Sequence, residues 1–177
     1  MALLGQQFRI LGETGNLIGL VQQKAFKLKE DIRVYADETK TREVLVIQAR
    51  QIMDFSAAYD IWDPVAGVKV GAMRRKGWSS IIRDNWEVMD DRDVVIGQIV
   101  EDHQLLALLR RFLSNLIPQN FDLLMNDGRR VVDLKQAFNP FWYSLTVDCR
   151  EDPQARLDRR MAIAAGILIA VMEGRQG

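Results

Sequence analysis

The stretch MAIAAGILIAVM, residues 161–172, holds twelve residues without one charged or polar side chain. Arg159 and Arg160 precede it, and Glu173 and Arg175 lie just after it. A helix that is apolar on every face is either buried all round or inserted in a membrane. Twelve helical residues span about 18 Å, whereas a membrane span needs about 20 apolar residues. The stretch therefore predicts a core helix that the rest of the fold must surround.

Signals on both sides suggest where this helix begins and ends. Asp152-Pro153 combines a good N-cap residue with a proline at the first helical position, and Gly174 follows the apolar run. We therefore predict a helix over residues 153–173. Five of its large side chains are expected in the core: Ile163, Ile167, Leu168, Ile169 and Val171.

The composition limits the class of protein. The chain has 177 residues, 24 of them basic and 24 acidic, which suits one domain over residues 1–177 and disfavours a general nucleic-acid binder. Its single cysteine, Cys149, excludes an internal disulfide and fits a reducing compartment. The N-terminal residues show no pattern of a signal peptide. The expected location is the cytoplasm, either free or peripherally on a membrane.

Short β-branched segments separated by polar turns fill most of the remaining chain. Asn126-Asp127-Gly128-Arg129, between two apolar runs, is the strongest hairpin signal. One residue in each β-branched segment serves as a marker of its position, and four of these markers are 26 residues apart: Gly19, Leu45, Gly71 and Gly97. The next marker, Asp133, follows after 36 residues. The spacing predicts repeated hairpin units with one insertion, although any meander of strands also gives evenly spaced turns.

The insertion predicts a second helix over residues 103–116, where leucines recur at helical spacing. This helix would cover one mouth of a barrel or, alternatively, lie on a membrane. An open sheet would leave unpaired edges, and closure removes them. The predicted fold is mainly β (α+β), a closed antiparallel barrel of about twelve strands around the buried C-terminal helix.

Several segments together resemble a known family. They are GETGNLIGLVQQKAFKLKEDIRVY (12–35), DDRDVVIGQIVED (90–102), FNPFWYSLTVD (138–148) and the apolar C-terminal helix. Their layout resembles the tubby-like superfamily, in its phospholipid-scramblase and LURP-one-related branch. The resemblance covers nearly the whole chain and implies a closed antiparallel barrel threaded by the C-terminal helix. It also implies binding of phospholipid head groups, although no motif residue of such a site can be matched here.

Catalytic and metal-binding patterns are weak. His103 and Cys149 are single residues of their types, so a tetrahedral zinc site is disfavoured. The scramblase-like calcium segment would correspond to residues 148–152, where three carboxylates surround an arginine and no glycine follows. No nucleophile elbow or phosphate-binding loop is present. We expect no enzyme activity, no cofactor and no metal.

Basic residues are the remaining indication of function. One group combines Arg74, Arg75 and Lys76 with Trp78, a residue type suited to a head-group boundary, and Arg129 and Arg130 lie at the predicted hairpin turn. They are candidate lipid head-group ligands, or alternatively ordinary solvated charges. The first hypothesis is a non-enzymatic barrel that binds an anionic phospholipid or a membrane-associated partner. The alternatives are a protein-interaction scaffold without a lipid role and a phospholipid scramblase.

Overall fold

The computed structural model describes residues 7–23, 31–50, 57–75, 85–101, 120–137 and 143–173. Within them, eleven antiparallel strands form one sheet in which each strand pairs with the next along the chain. The fold is therefore mainly β, as predicted. The strands are β1 (Gln7–Leu11), β2 (Leu17–Gln23), β3 (Asp31–Tyr35), β4 (Glu43–Ala49), β5 (Ala58–Asp63), β6 (Val68–Arg75), β7 (Trp86–Met89), β8 (Val95–Glu101), β9 (Asn120–Met125), β10 (Arg130–Gln136) and β11 (Leu145–Asp148).

The up-and-down order of the strands gives the sheet two distinct ends. The connections after β1, β3, β5, β7, β9 and β11 lie at one end, which we call the turn end. These connections are all described, and five of them are short turns. Most residues of the connections at the opposite end lie outside the described residues, and so does the whole predicted helix over 103–116.

A β-bulge recurs near the turn end of every even-numbered strand. At β6, Ile61 pairs with Gly71 while the next residue, Trp62, pairs with Lys69, so Val70 is the extra residue. Equivalent register shifts make extra residues of Ile18, Val44, Ile96 and Val131. The extra residues Ile18, Val44, Val70 and Ile96 are 26 residues apart, and each directly precedes one of the sequence markers. Each repeat is therefore a two-strand unit. Bulges bend strands and increase their twist, which curls the sheet.

The apolar segment forms the helix α1 (Arg159–Glu173). Eight consecutive residues, 164–171, are buried, which is more than two turns, so every side of the helix is covered. Four of the five predicted core side chains, Ile167, Leu168, Ile169 and Val171, are buried, whereas Ile163 is half-buried and packs against the core.

The predicted start of the helix at residue 153 was wrong. Asp152 caps a separate turn, because its carboxylate accepts the backbone N–H groups of Arg156 and Leu157. Ala155 then adopts a left-handed φ of 51°, which an α-helix cannot contain. Asp158 is the true N-cap, since its Oδ1 accepts the backbone N–H of Arg160 at 2.9 Å.

The sheet reaches α1 from strands that are far apart in its order. A Cβ on Gly71 of β6 would lie 2.7 Å from Sδ of Met161, and a Cβ on Gly166 of α1 would lie 2.6 Å from Val147 of β11. The sheet therefore curls around the helix. Eleven strands, one fewer than expected, are present among the described residues, where β1 and β11 are the two edges and no pairing joins them.

Candidate functional site

The predicted head-group residues are placed by two different strands. Arg74 and Arg75 end β6, Arg129 belongs to the β9–β10 turn and Arg130 begins β10. Lys76 and Trp78 lie outside the described residues. Arg74 and Arg75 therefore lie near the end of the sheet opposite the turn end, whereas Arg129 and Arg130 lie at the turn end.

The register nevertheless places Arg74 and Arg130 on one row across five strands. Arg74 pairs with Glu87, Glu87 with Gln98, Gln98 with Leu124 and Leu124 with Arg130. Four strand spacings separate the two arginines, about 19 Å along the sheet. We call these five residues the arginine row. Arg74 and Gln98 are exposed, whereas Met73 and Ile99 next to them are buried in the core, so the row lies on the outer face.

A cavity of about 240 Å³ lies between the two arginines. Three residues of its lining belong to the arginine row. Asn126 fixes the adjoining turn, because its Nδ2 donates to the carbonyl of Val95 at 2.7 Å. The lining residues are Glu87, Val95, Gly97, Gln98, Leu124, Met125, Asn126 and Gly128. The cavity therefore combines apolar walls with carboxylate and amide groups.

The arginine at one end of the row is held by one carboxylate. Nε and Nη2 of Arg74 both donate to Oε2 of Glu87, at 2.9 and 2.5 Å. The side chain of Arg74 is still 45% exposed. The guanidinium is thus fixed in direction but remains accessible to a second anion.

The arginine at the other end is shared between carboxylates. Arg130 donates to Asp122 at 3.0 Å and also to Glu151, and Asp133 lies 3.7 Å away. The hydrogen bond from Arg130 lowers the pKa of Glu151. Arg129 next to it is much freer, since it is 74% exposed and its ion pair with Asp127 is long, at 3.7 Å. Arg129 is therefore the better candidate for contact with an anion.

A second charge cluster on the outer face was missed by sequence reasoning. Arg50 bonds to Asp60 at 2.6 Å and to Asp93, and Lys69 bonds to the same carboxylates at 3.1 and 2.7 Å. Lys69 and then Arg50 lower the pKa of Asp93 by hydrogen bonding. Asp60 and Lys69 belong to β5 and β6, Arg50 directly follows β4, and Asp93 belongs to the β7–β8 turn, so only the register could have brought them together. Two cations balance two anions, which is typical of a structural network.

The described residues contain no constellation that suggests catalysis. Burial raises the pKa of the Cys149 thiol, which disfavours a reactive thiolate. No group of three or more histidine, cysteine or acidic residues could hold a metal ion in the described parts of the chain. Within the same parts, no helix has the length and hydropathy of a membrane span. His103 lies outside the described residues.

Comparison with known proteins gives one match. The family model described as LURP-one-related matches residues 18–170, which is most of the chain and includes all of β3 to β11 and β2 from its second residue. No curated protein and no solved structure matches the chain.

Proposed function

The chain belongs to the LURP-one-related family, and we propose that it is a non-enzymatic domain that binds an anionic phospholipid head group at the arginine row and at Arg129, which adjoins the row. In this role it is a cytoplasmic protein that reaches a membrane peripherally. The observation that carries the proposal is the strand register, which sets Arg74 and Arg130 on one outer row with a cavity between them.

The chemistry of the row suits a head group better than a buried small molecule. Guanidinium groups bind phosphate through paired N–H donors, and Arg74 and Arg129 both have exposed faces. Gln98, between them, adds an exposed amide on the same face. The cavity is smaller than the range of about 300–1,000 Å³ that is common for drug-sized ligands. A head group at a membrane surface needs no deeper enclosure.

The carboxylates along the row limit the expected affinity. Glu87 and Glu151 already neutralise arginines there, so a phosphate must compete with them. A cation near an anionic bilayer contributes about 1 kcal/mol, and salt screens this attraction. Binding should therefore be weak and strongly dependent on ionic strength.

We also propose that the sheet closes into the tubby-like barrel that the resemblance implies. A helix buried on every side supports closure, because a single flat layer would cover only one side of it. A scramblase role through an inserted α1 is less well supported, since the helix would have to leave this sheet and expose Ile167, Leu168 and Ile169.

Vesicle flotation tests the lipid proposal. The protein should float with phosphatidylserine-containing vesicles at about 20 mM salt, lose binding at about 200 mM and ignore neutral vesicles. The double variant Arg74→Gln/Arg129→Gln should bind about thirtyfold more weakly, because it removes two cations of about 1 kcal/mol each.

The matched control is Arg9→Gln/Arg42→Gln, which removes the same charge from exposed positions on β1 and in the β3–β4 turn, outside the five strands of the row. It should bind almost as well as the unchanged protein. Absence of flotation with anionic vesicles at low salt, or an equal loss in both double variants, contradicts the proposal. Circular dichroism confirms that each variant is folded.

A further inference from the structure

The two ends of the arginine row are too far apart for a head group with one phosphate to contact both. The guanidinium of Arg74 is drawn towards β7 by its hydrogen bonds to Glu87, whereas Arg130 is held over β10 between Asp122 and Glu151. About three of the four strand spacings therefore remain between the two guanidinium groups, which is about 14 Å. Side chains on the outer face also diverge, because the sheet curls around α1.

The middle of the row offers little to a larger, polyphosphorylated head group that would bridge the ends. Gln98 is neutral, Leu124 is apolar and Glu87 is an anion. In the described residues of β7, β8, β9 and the β7–β8 turn, the one basic residue is Arg92, which lies between two aspartates. A head group laid along the row would therefore place negative charge where the row has no cation.

Among the described residues, the end of the row at Arg74 offers one exposed cation. The side chain of Arg74 is 45% exposed, whereas that of Glu87, which accepts two of its hydrogen bonds, is only 14% exposed. The next residue, Arg75, pairs with Trp86, which is buried in the core, so Arg75 belongs to the opposite face of the sheet. A phosphate that approaches the outer face meets the guanidinium of Arg74 before it meets the carboxylate.

The other end of the row is a network of ion pairs without surplus charge. Arg129 has the largest exposed fraction of its four cations, at 74%, and lies 3.7 Å from Asp127, which Arg156 holds at 2.8 Å. One guanidinium is therefore open to an anion here as well, but the network has no second unbalanced cation for a second phosphate. Its members are the cations Arg129, Arg130, Lys135 and Arg156 and the carboxylates Asp122, Asp127, Asp133 and Glu151.

We propose that the domain takes two phosphodiester head groups, each with one negatively charged phosphate, one at Arg74 and one at Arg129. This inference rests on the proposed function and names its ligand class, since it favours lipids such as phosphatidylglycerol or phosphatidylserine over a polyphosphorylated inositol lipid. Each guanidinium donates paired N–H groups to one phosphodiester. A membrane binds better than a soluble head group, because the second lipid contact becomes intramolecular once the first has formed.

Soluble head groups test the inference by NMR of the isotope-labelled protein at low salt, where the attraction is screened least. Glycerophosphoglycerol, the deacylated form of phosphatidylglycerol, should shift two separate sets of amides. The first set is residues 73–75 and 86–88, and the second set is residues 126–130. Inositol trisphosphate should likewise occupy the two sets independently, with two molecules bound per protein.

Single variants show whether the two contacts are separate. Arg74→Gln should abolish the shifts of the first set only, and Arg129→Gln should abolish those of the second set only. Each should lower binding to anionic vesicles about fivefold, because each removes one cation. Arg42→Gln, which removes an exposed cation outside the row, is the matched control and should leave both sets and vesicle binding almost unchanged.

A bridging ligand gives a different result. One inositol trisphosphate per protein would then shift both sets together, and either single variant would weaken both. That outcome overturns the inference, as do shifts in only one set, an equal effect of Arg42→Gln, or no shifts with either compound while the protein still floats with anionic vesicles. Absence of flotation at low salt removes the lipid site itself, so the failure of the proposed function is distinguishable from the failure of this inference.

Discussion

Asp152 is a carboxylate that is only 2% exposed, and it organises the segment that leads into α1. Its two oxygens accept the backbone N–H groups of Arg156 and Leu157, at 3.0 and 3.1 Å, and Arg159 lies 3.6 Å away. Removing a buried acceptor leaves these donors and the arginine without their partner. Asp152→Ala should lower the free energy of unfolding by about 3 kcal/mol, measured by urea denaturation. The exposed Asp91→Ala is the control, and a similar small loss in both variants would contradict this role.

Asp148 gives a prediction for pH. Hydrogen bonds from the side chain and backbone N–H of Arg150 lower the pKa of Asp148 from 3.8 to about 2. Because the folded-state pKa is depressed, this interaction stabilises the fold fully above pH 4 and is lost as the pH falls towards 2. Arg150→Gln should raise the pKa of Asp148 towards 3.8, measured by carboxyl carbon NMR titration. Arg156→Gln, which alters a cation bound to Asp127, should leave the pKa of Asp148 at its low value; a shift of equal size there would refute the assignment to Arg150.

At the scale of elements, the contact of α1 with β11 rests on a glycine. A Cβ on Gly166 would lie 2.6 Å from Cγ2 of Val147, closer than such atoms approach. Gly166→Ala should therefore destabilise the protein by about 1–3 kcal/mol, as overpacking in a core does. Val147→Ala removes the obstructing methyl groups, so the double variant should be more stable than the sum of the two single changes predicts. Urea denaturation of all four proteins measures this coupling, and strict additivity would show that the helix and β11 do not pack as described.

The recurring bulge explains why the repeat could be read from the sequence. Each unit needs one extra residue at the same place in its second strand, and a β-branched residue occupies it each time: Ile18, Val44, Val70, Ile96 and Val131. The 26-residue spacing therefore corresponds to the two-strand unit and its bulge. The start of the helix could not be predicted from residue types alone. Asp152-Pro153 has the residues of a helix cap, but its backbone forms a separate turn before Asp158.

The relation between the basic residues could not be read in the same way. The sequence separates Arg74 from Arg130 by more than fifty residues, and only the pairing of five consecutive strands sets them on one row. The cluster of Arg50, Lys69 and Asp93 likewise depends on long-range register. Local patterns report strands, turns and burial, whereas the position of one strand against another is decided by contacts across the whole sheet.

For the whole molecule, the burial of α1 gives a prediction about the two edge strands, β1 and β11. The helix contacts β6 and β11, which are five strands apart in one sheet, so the sheet is curled, and closure of the proposed barrel would bring β1 and β11 together. In a sheet that stays open, alternate amides of Gln7–Leu11 and Leu145–Asp148 point away from their one partner and exchange with water quickly. In the closed barrel that we propose, these amides are bonded and should exchange as slowly as those of the central strand β5, measured residue by residue by NMR. The amides of Glu13 and Thr14, in the exposed β1–β2 turn, provide the fast reference. If alternate amides of both edge strands exchange at that fast rate, the barrel is open and the helix is covered in some other way.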